Sequence, residues 1–315
     1  MPKGFFTQTL VVFFERAPSL ESLLPTLAAL GAVTGPRGGG DGLFGGAHLS
    51  LAYRPDVHGR VDVDVLASPW PDGMGDPRAE PELFGAWSMG AFGPHTFPGN
   101  LARALRQPVA FRAAPEVVPR HRACVRLRST YVTGPDAKVI PEGYDAREEL
   151  LFVTRAARAV MSVPGALAYF CPGGEVLLDA PVLDEILADA AAQKILPLEA
   201  WMNVRGMRAD DAWAVLDVVG NEQILLPDVE VAYTFRTQKG GEIAQFLRNL
   251  TGFMIQRGPV FAAGDVINGP GGKYRVHRFA TSLEDPPRPT YFLALDGASP
   301  PPFMLAREAQ TGRDG

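Results

Sequence analysis

Arg122-Ala-Cys-Val-Arg-Leu-Arg-Ser-Thr-Tyr-Val132 carries the alternation on which the fold turns. Successive side chains of a strand point to opposite faces. Val125, Leu127 and Tyr131 are therefore expected to face a core, and Arg126 and Arg128 to face water. Arg60–Leu66 repeats the pattern upstream, with Val61, Val63 and Val65 between Arg60, Asp62 and Asp64, again one dry face and one wet.

Elements of both periodicities lie on either side. Phe5–Phe14 is aromatic and β-branched and reads as a buried strand. Ser19–Leu30 reads as a short helix capped by Ser19 or Ser22 and stopped by Gly31. Pro25 favours the later start, since proline fits the first turn of a helix. Ala47–Tyr53 and Arg60–Leu66 make a hairpin. Downstream, Asp145 and Glu148 form a capping box for a helix ending near Ser162. Ala166–Phe170 is a strand, and Pro181 opens a helix running to about Lys194. Leu198–Arg205 and Ala212–Val219 pair around Arg208–Asp211. In Glu242–Gln256, Ile243, Phe246, Leu247, Leu250 and Met254 make one helical stripe, and Tyr274–Phe279 is the last strand.

This order predicts an α+β class with antiparallel sheets and helices packed on one face. Its units are ferredoxin-like, one partial and one fuller. Residues 1–67 form an N-terminal β-α-β-β unit and 120–283 a C-terminal α+β unit. Between them, 68–119 is an ordered excursion rich in Pro, Gly and aromatics, packed down by Trp70, Phe84, Trp87, Phe92 and Phe97. The Pro-rich tail 284–315 is expected to fray in part.

Of 315 residues, 46% are hydrophobic and 21% charged, ordinary usage for a chain that buries a core. A net charge of −5 gives no general attraction to nucleic acid or to an anionic membrane. The first twenty residues lack a cleavage-site pattern, and no apolar run reaches membrane-spanning length. With Cys124 and Cys171 as the only cysteines, a reducing, cytoplasmic setting is expected.

Motifs that resemble known chemistry lack its context. Gly40-Asp-Gly42-Leu-Phe-Gly45 matches the dinucleotide fingerprint in letters but follows a helix and leads into a strand, the reverse of what pyrophosphate binding needs. Asn268-Gly-Pro-Gly-Gly-Lys273 lacks the opening glycine and magnesium-binding hydroxyl of a P-loop. It could still hold an anion or ligand through Asp265, Asn268 and Lys273. Ser88 has neither the strand before it nor the helix after it that a nucleophile elbow requires. His121-x-x-Cys124 is half a zinc site without a second half. Asp62-Val-Asp64 reads as a solvated face of alternating charge before a cation pair. Asn249-Leu-Thr251 falls within the best helix, so its glycosylation letters are discarded. No cofactor, metal or catalytic residue is expected.

Acids crowd one region: Glu199, Asp210, Asp211, Asp217, Glu222, Asp228 and Glu230 against Arg205 and Arg208. With Trp201 and Trp213 they are read as an acidic, aromatic-anchored surface. Its expected residues are Trp201, Asp210, Asp211, Trp213, Asp217, Asp228 and Glu230, and its expected partner is another protein, a basic one being the natural complement.

Leu196-Pro-Leu-Glu-Ala-Trp201, Trp213–Gly220, Pro227-Asp-Val-Glu230, Phe246-Leu-Arg-Asn249 and Gly264–Gly272 together resemble a bacterial family catalogued as domain of unknown function 4261. The likeness spans about Arg120–Phe279 and brings no catalytic residues with it. It implies a neighbourhood of contact-dependent secretion and toxin–immunity functions. The combined expectation is a non-enzymatic, cytoplasmic protein-binding module, an immunity or accessory partner of a secreted effector. The alternatives are an enzyme using the Gly264–Lys273 loop, or a structural component of a secretion-type assembly.

Overall fold

The computed structural model describes residues 4–38, 43, 46–133, 137–235, 238–297, 301 and 303–304. It divides into two compact units, Met1–Met202 and Asn203–Gly315.

The first unit holds β1 (Gln8–Phe14), α1 (Leu20–Ala28), β2 (Val33–Arg37), β3 (His48–Ala52), β4 (Arg60–Leu66), α2 (Pro81–Ser88), α3 (Asn100–Arg106) and α4 (Ala114–Val117). It continues with β5 (Ala123–Thr130), α5 (Ala146–Val160), β6 (Ala166–Cys171), β7 (Val176–Leu178) and α6 (Ala180–Gln193). One antiparallel sheet runs β2-β3-β4-β5-β1-β6-β7. Strands β6-β1-β5-β4, with α1 and α5 as crossovers, have the fourth-first-third-second order of a single ferredoxin-like unit. The boundary expected near 120 therefore falls inside one sheet: β1 is hydrogen-bonded between β5 and β6, so residues 1–67 do not form a body of their own.

Helices cover both faces of this sheet, not one. Val11 and Phe13 join Trp70, Ala86, Trp87, Phe92, Leu101, Ala104 and Ala114 in one apolar cluster, so the excursion packs as a second layer. The alternate residues Leu10, Val12 and Phe14, fully buried, face the side where α5 packs on β1 and β5. Caps form at Ser19, Asp145 and Asp179, each side chain accepting from the first turn. Pro25 lies inside α1 rather than at its start. Its own position is exposed, where water can satisfy the carbonyl freed by the missing N–H.

The second unit holds β8 (Asn203–Arg208), β9 (Trp213–Val219), β10 (Asp228–Thr234), α7 (Gly240–Arg257), β11 (Val266–Gly269), β12 (Gly272–Phe279) and β13 (Thr290–Leu295), in the sheet order β11-β12-β13-β10-β9-β8. β10 and β13 are parallel; the other pairs are antiparallel. The expected apolar stripe of α7 is buried at Ile243, Leu247, Leu250 and Met254. Phe246 is half-buried and packs at a tilt against Tyr274, ring centroids 5.5 Å apart. Residues 284–295 do not fray. Arg288 is buried, and β13 sits between β12 and β10 in the middle of the sheet. Among the described residues, no helix is long and apolar enough to cross a membrane.

Candidate functional site

The seven residues expected to form an acidic surface separate into three places. Trp201 belongs to the first unit and is fully buried, its Nε1 donating to Thr154 Oγ1 at 2.8 Å. Asp210, Asp211 and Trp213 share the β8–β9 turn. Both acids are exposed and Trp213 is half-buried. Asp210 Oδ1 accepts from the Ala212 and Trp213 amides, each at 2.7 Å, and Arg208 donates to Asp211 at 2.8 Å. Asp217, Asp228 and Glu230 lie inside, at 1%, 1% and 0% exposure.

Asp217 and Asp228 form a network with two arginines, and Glu230 sits opposite Asp217 in the β9–β10 register. Arg205 and Arg288 both bind Asp217, and Arg288 Nε also binds Asp228. Arg288 Nη1 donates to Ser282 Oγ at 3.1 Å and to the carbonyls of Glu284 and Pro286 at 3.1 and 2.9 Å. Glu230 accepts from the Leu283 amide at 2.5 Å and from Thr290 Oγ1 at 3.2 Å. Burial pushes the Asp228 carboxyl up to about 6, against the pull of Arg288. The network pins 282–288 onto the sheet. Its acids are buried, so of the acids expected on the surface Asp210 and Asp211 are the exposed ones.

The Gly264–Lys273 stretch folds as a hairpin, β11 pairing with β12 around Pro270-Gly271. Gly271 has φ +77°, which the second central position of a type II turn after proline requires. Asn268 and Lys273 are cross-strand partners and exposed. Asp265 points elsewhere, its carboxylate accepting from the Ala262 amide at 2.8 Å. The geometry does not aim the three side chains at one ligand.

The wet face expected for β4 and β5 is interior. Arg126, Arg128 and Asp64 are 0%, 2% and 1% exposed, and Asp62 is 8%. Register sets Asp64 opposite Arg126 and Asp62 opposite Arg128. Both arginines bind Asp64. Arg126 Nη1 also donates to Leu43 O at 2.7 Å, and Arg128 Nη1 to Ala91 O at 2.9 Å. Burial alone would raise the Asp64 carboxyl, but Arg128 and Arg126 hold it below the ordinary carboxylate range. Burial and the neighbouring Arg126 push Arg128 down to about 10. The excursion covers this face, so charges placed on alternate strand positions became an ion network under a lid. Of the Gly40–Gly45 match, Gly40, Asp41, Gly42, Phe44 and Gly45 lie outside the described residues.

His121 is engaged at both ring nitrogens. Nε2 accepts from the Trp70 amide at 2.9 Å, and Nδ1 lies 2.6 Å from Val118 O. The buried Cys124 thiol faces Ser68 O, and burial raises it to about 12. Among the described residues, no three or more His, Cys, Asp or Glu side chains are grouped to hold a metal. Ser88 ends α2 and is exposed.

Glu149 was not legible as special in the sequence. It is fully buried on α5, accepting from Thr7 Oγ1 at 3.0 Å and Tyr144 OH at 2.9 Å. Burial raises its carboxyl above the ordinary range. A carboxyl raised in the folded state contributes stability below its unfolded pKa and loses it as pH rises through the folded value. Glu149→Gln keeps the shape, and Thr7 Oγ1 can accept from the new amide while donating to Ser129 O, 3.3 Å away. The variant should match the parent near about pH 4 and exceed it in Tm toward about pH 8. Thermal melts across that range check this; parallel curves would show that the carboxyl does not change charge there.

The exposed face of α7 has a different character. Its exposed positions between Glu242 and Arg257 are Gln245, Asn249, Phe253 and Gln256, none charged. Phe253 is 44% exposed and stacks on Phe261, which meets Tyr291 edge-on; Val260 beside them is 52% exposed. Arg278 lies over the Tyr291 ring. Gly252 occupies the helix interior, and a Cβ there would meet nothing within 4 Å. Glycine at such a position costs about 1 kcal/mol relative to alanine, and among the described residues no neighbour requires it. The sequence signal was present: Phe253 lies off the core stripe, directly after a mid-helix glycine.

Residues 217–293 match the model of a family described as a domain of unknown function, DUF4261. This segment holds Asp217, Asp228, Glu230, Arg288 and the whole of α7. The earlier part of the expected likeness, from about 120 to 216, lies outside the match. Comparison with curated proteins and with solved structures gives no match.

Proposed function

We propose that this chain is a non-enzymatic protein-binding module whose docking face is the outward side of α7 with the following loop to Phe261. One observation carries the reading: Gly252, with nothing within 4 Å of its Cβ position, beside the 44% exposed Phe253 on the outward side of α7. A helix that only meets water gains from charged side chains and from alanine over glycine. A helix that meets another backbone gains from a small residue at the crossing and an aromatic anchor beside it. The buried networks fit this role as scaffold, because their polar groups are spent on fixing loops. The finer reading, an accessory or immunity partner of a secreted effector in the cytoplasm, rests on the family resemblance.

Parallel copurification of tagged parent, Phe253→Asp and Gly252→Arg from the native host tests the proposal. A stoichiometric partner should fall by about tenfold or more in both variants, an effect of at least 1.4 kcal/mol, while Tm is unchanged. Undiminished recovery with both variants would remove α7 from the reading.

A further inference from the structure

We infer that the partner docks through an acidic peptide segment built around one apolar anchor, the anchor covering Phe253 and Val260 and the carboxylates meeting Arg257 and Arg278. The inference rests on the docking reading above and adds the chemistry of the partner. The aromatic cluster beyond α7 is continuous. Phe253 and Phe261 have ring centroids 5.7 Å apart, Phe261 and Tyr291 5.9 Å, and the Tyr291 hydroxyl donates to Pro259 O at 3.2 Å. Phe253 and Val260 are 44% and 52% exposed, and covering them with an apolar side chain removes that surface from water.

Charge beside this cluster decides the partner. Arg278 is exposed, and its register opposite Tyr291 sets its guanidinium over that ring, Cζ 5.7 Å from the centroid. A guanidinium stacked on a ring is held in one plane, with its N–H edge open to a carboxylate. Arg257, in the last turn of α7, is exposed two residues before Pro259. Among the described residues neither cation has a carboxylate partner, whereas Arg275 on the same strand as Arg278 pairs with Asp296 at 2.8 Å. The helix dipole favours a base at Arg257 but has no bearing on Arg278, which lies on β12. Arg248, half-buried on α7, is engaged within the chain. Of the exposed acids, Asp265 turns to the Ala262 amide at 2.8 Å, Asp210 caps its own turn, and Asp211 pairs with Arg208. The open charge beside the docking face is therefore positive, and its complement is negative. The net charge of −5 on the whole chain favours a short acidic segment over a nucleic acid as that complement.

A short-peptide library displayed on phage, depleted on the Phe253→Asp chain and then selected on the full parent chain, reads this chemistry directly. Enriched sequences should place acidic residues on both sides of one Phe, Leu or Trp. Binding of the synthetic consensus peptide should weaken about tenfold in Arg278→Gln and in Arg257→Gln. It should weaken again between about 0.05 and 0.5 M salt, while Tm is unchanged in both variants. A basic or uncharged consensus, a consensus peptide unaffected by Arg278→Gln or by Arg257→Gln, or no enrichment over the depleted pool would each overturn the acidic segment. So would single-stranded oligouridylate that binds the parent and is lost with Phe253→Asp, because the occupant is then a nucleic acid. An uncharged consensus that still needs Phe253 would sink the acidic chemistry and leave the docking reading standing. That reading falls separately, on undiminished partner recovery with Phe253→Asp and Gly252→Arg.

Discussion

Replacing Arg288 by alanine should destabilise the second unit by about 3–5 kcal/mol, the cost of breaking a buried ion pair from one side. Arg288 is 3% exposed and binds both Asp217 and Asp228. It also donates to the Ser282 hydroxyl and to the carbonyls of Glu284, Pro286 and Val218. Alanine leaves Asp217 with Arg205 and leaves Asp228 with the Asn221 amide alone. The effect depends on pH. Asp228 is already pushed up to about 6 with Arg288 present, and losing the cation must push it higher. A raised folded pKa means stability present at low pH and lost as pH rises through that value. The penalty should therefore be larger at about pH 8 than at about pH 5. Urea titrations at both values measure it. A penalty below about 1 kcal/mol at the higher pH would mean that water satisfies the two carboxylates.

Asp64→Asn should cost the first unit a comparable amount, about 3–5 kcal/mol near neutrality. Here the acid is the minority charge, one carboxylate between two buried guanidiniums. Asparagine leaves Arg126 and Arg128 facing each other with Asp62 as the nearest acid. The sign of the pH dependence follows from the lowered pKa of Asp64. Its contribution is present above the unfolded carboxylate value, about 3.9, and is lost as pH falls through the folded one. Parent and variant should converge only in strong acid. Arg128→Met provides the control, because it leaves Arg126 and Asp64 as a balanced pair and should cost clearly less. Equal costs for the two variants would show that the arginine side chain packs Phe6, over which it lies, more than it balances charge.

Much of the secondary structure was legible because it rests on local patterning. The Ser19 and Asp145 caps, the α7 stripe and the Ala47–Leu66 hairpin each follow from spacing and capping chemistry within a few residues. The excursion was legible too, its aromatics signalling order where Pro and Gly forbid long elements. Trp70, Trp87 and Phe92 are buried in one cluster. The strands that escaped were β2, β7, β10, β11 and β13. β10 was masked by Asp228 and Glu230, acids that read as loop until Arg288 and Thr290 are seen beside them. β13 was hidden among the prolines of an apparent tail, and only its pairing with β10 and β12 makes it a strand.

The sequence by itself determined the class of the fold, the alternation of β4 and β5, the apolar stripe of α7 and the absence of a complete catalytic motif, since these are set by side chains near one another along the chain. Which face of a strand is wet was decided by the tertiary structure alone. Alternation fixes that Arg126, Arg128, Asp62 and Asp64 share a side, but whether water or a second layer lies over them depends on where residues 68–119 fold back. The same holds for the acids of the second unit, whose charges meet Arg288 some seventy residues away from Asp217. A charge costs little at a surface and several kcal/mol when buried unpaired, so its role is settled by contacts that no local pattern records.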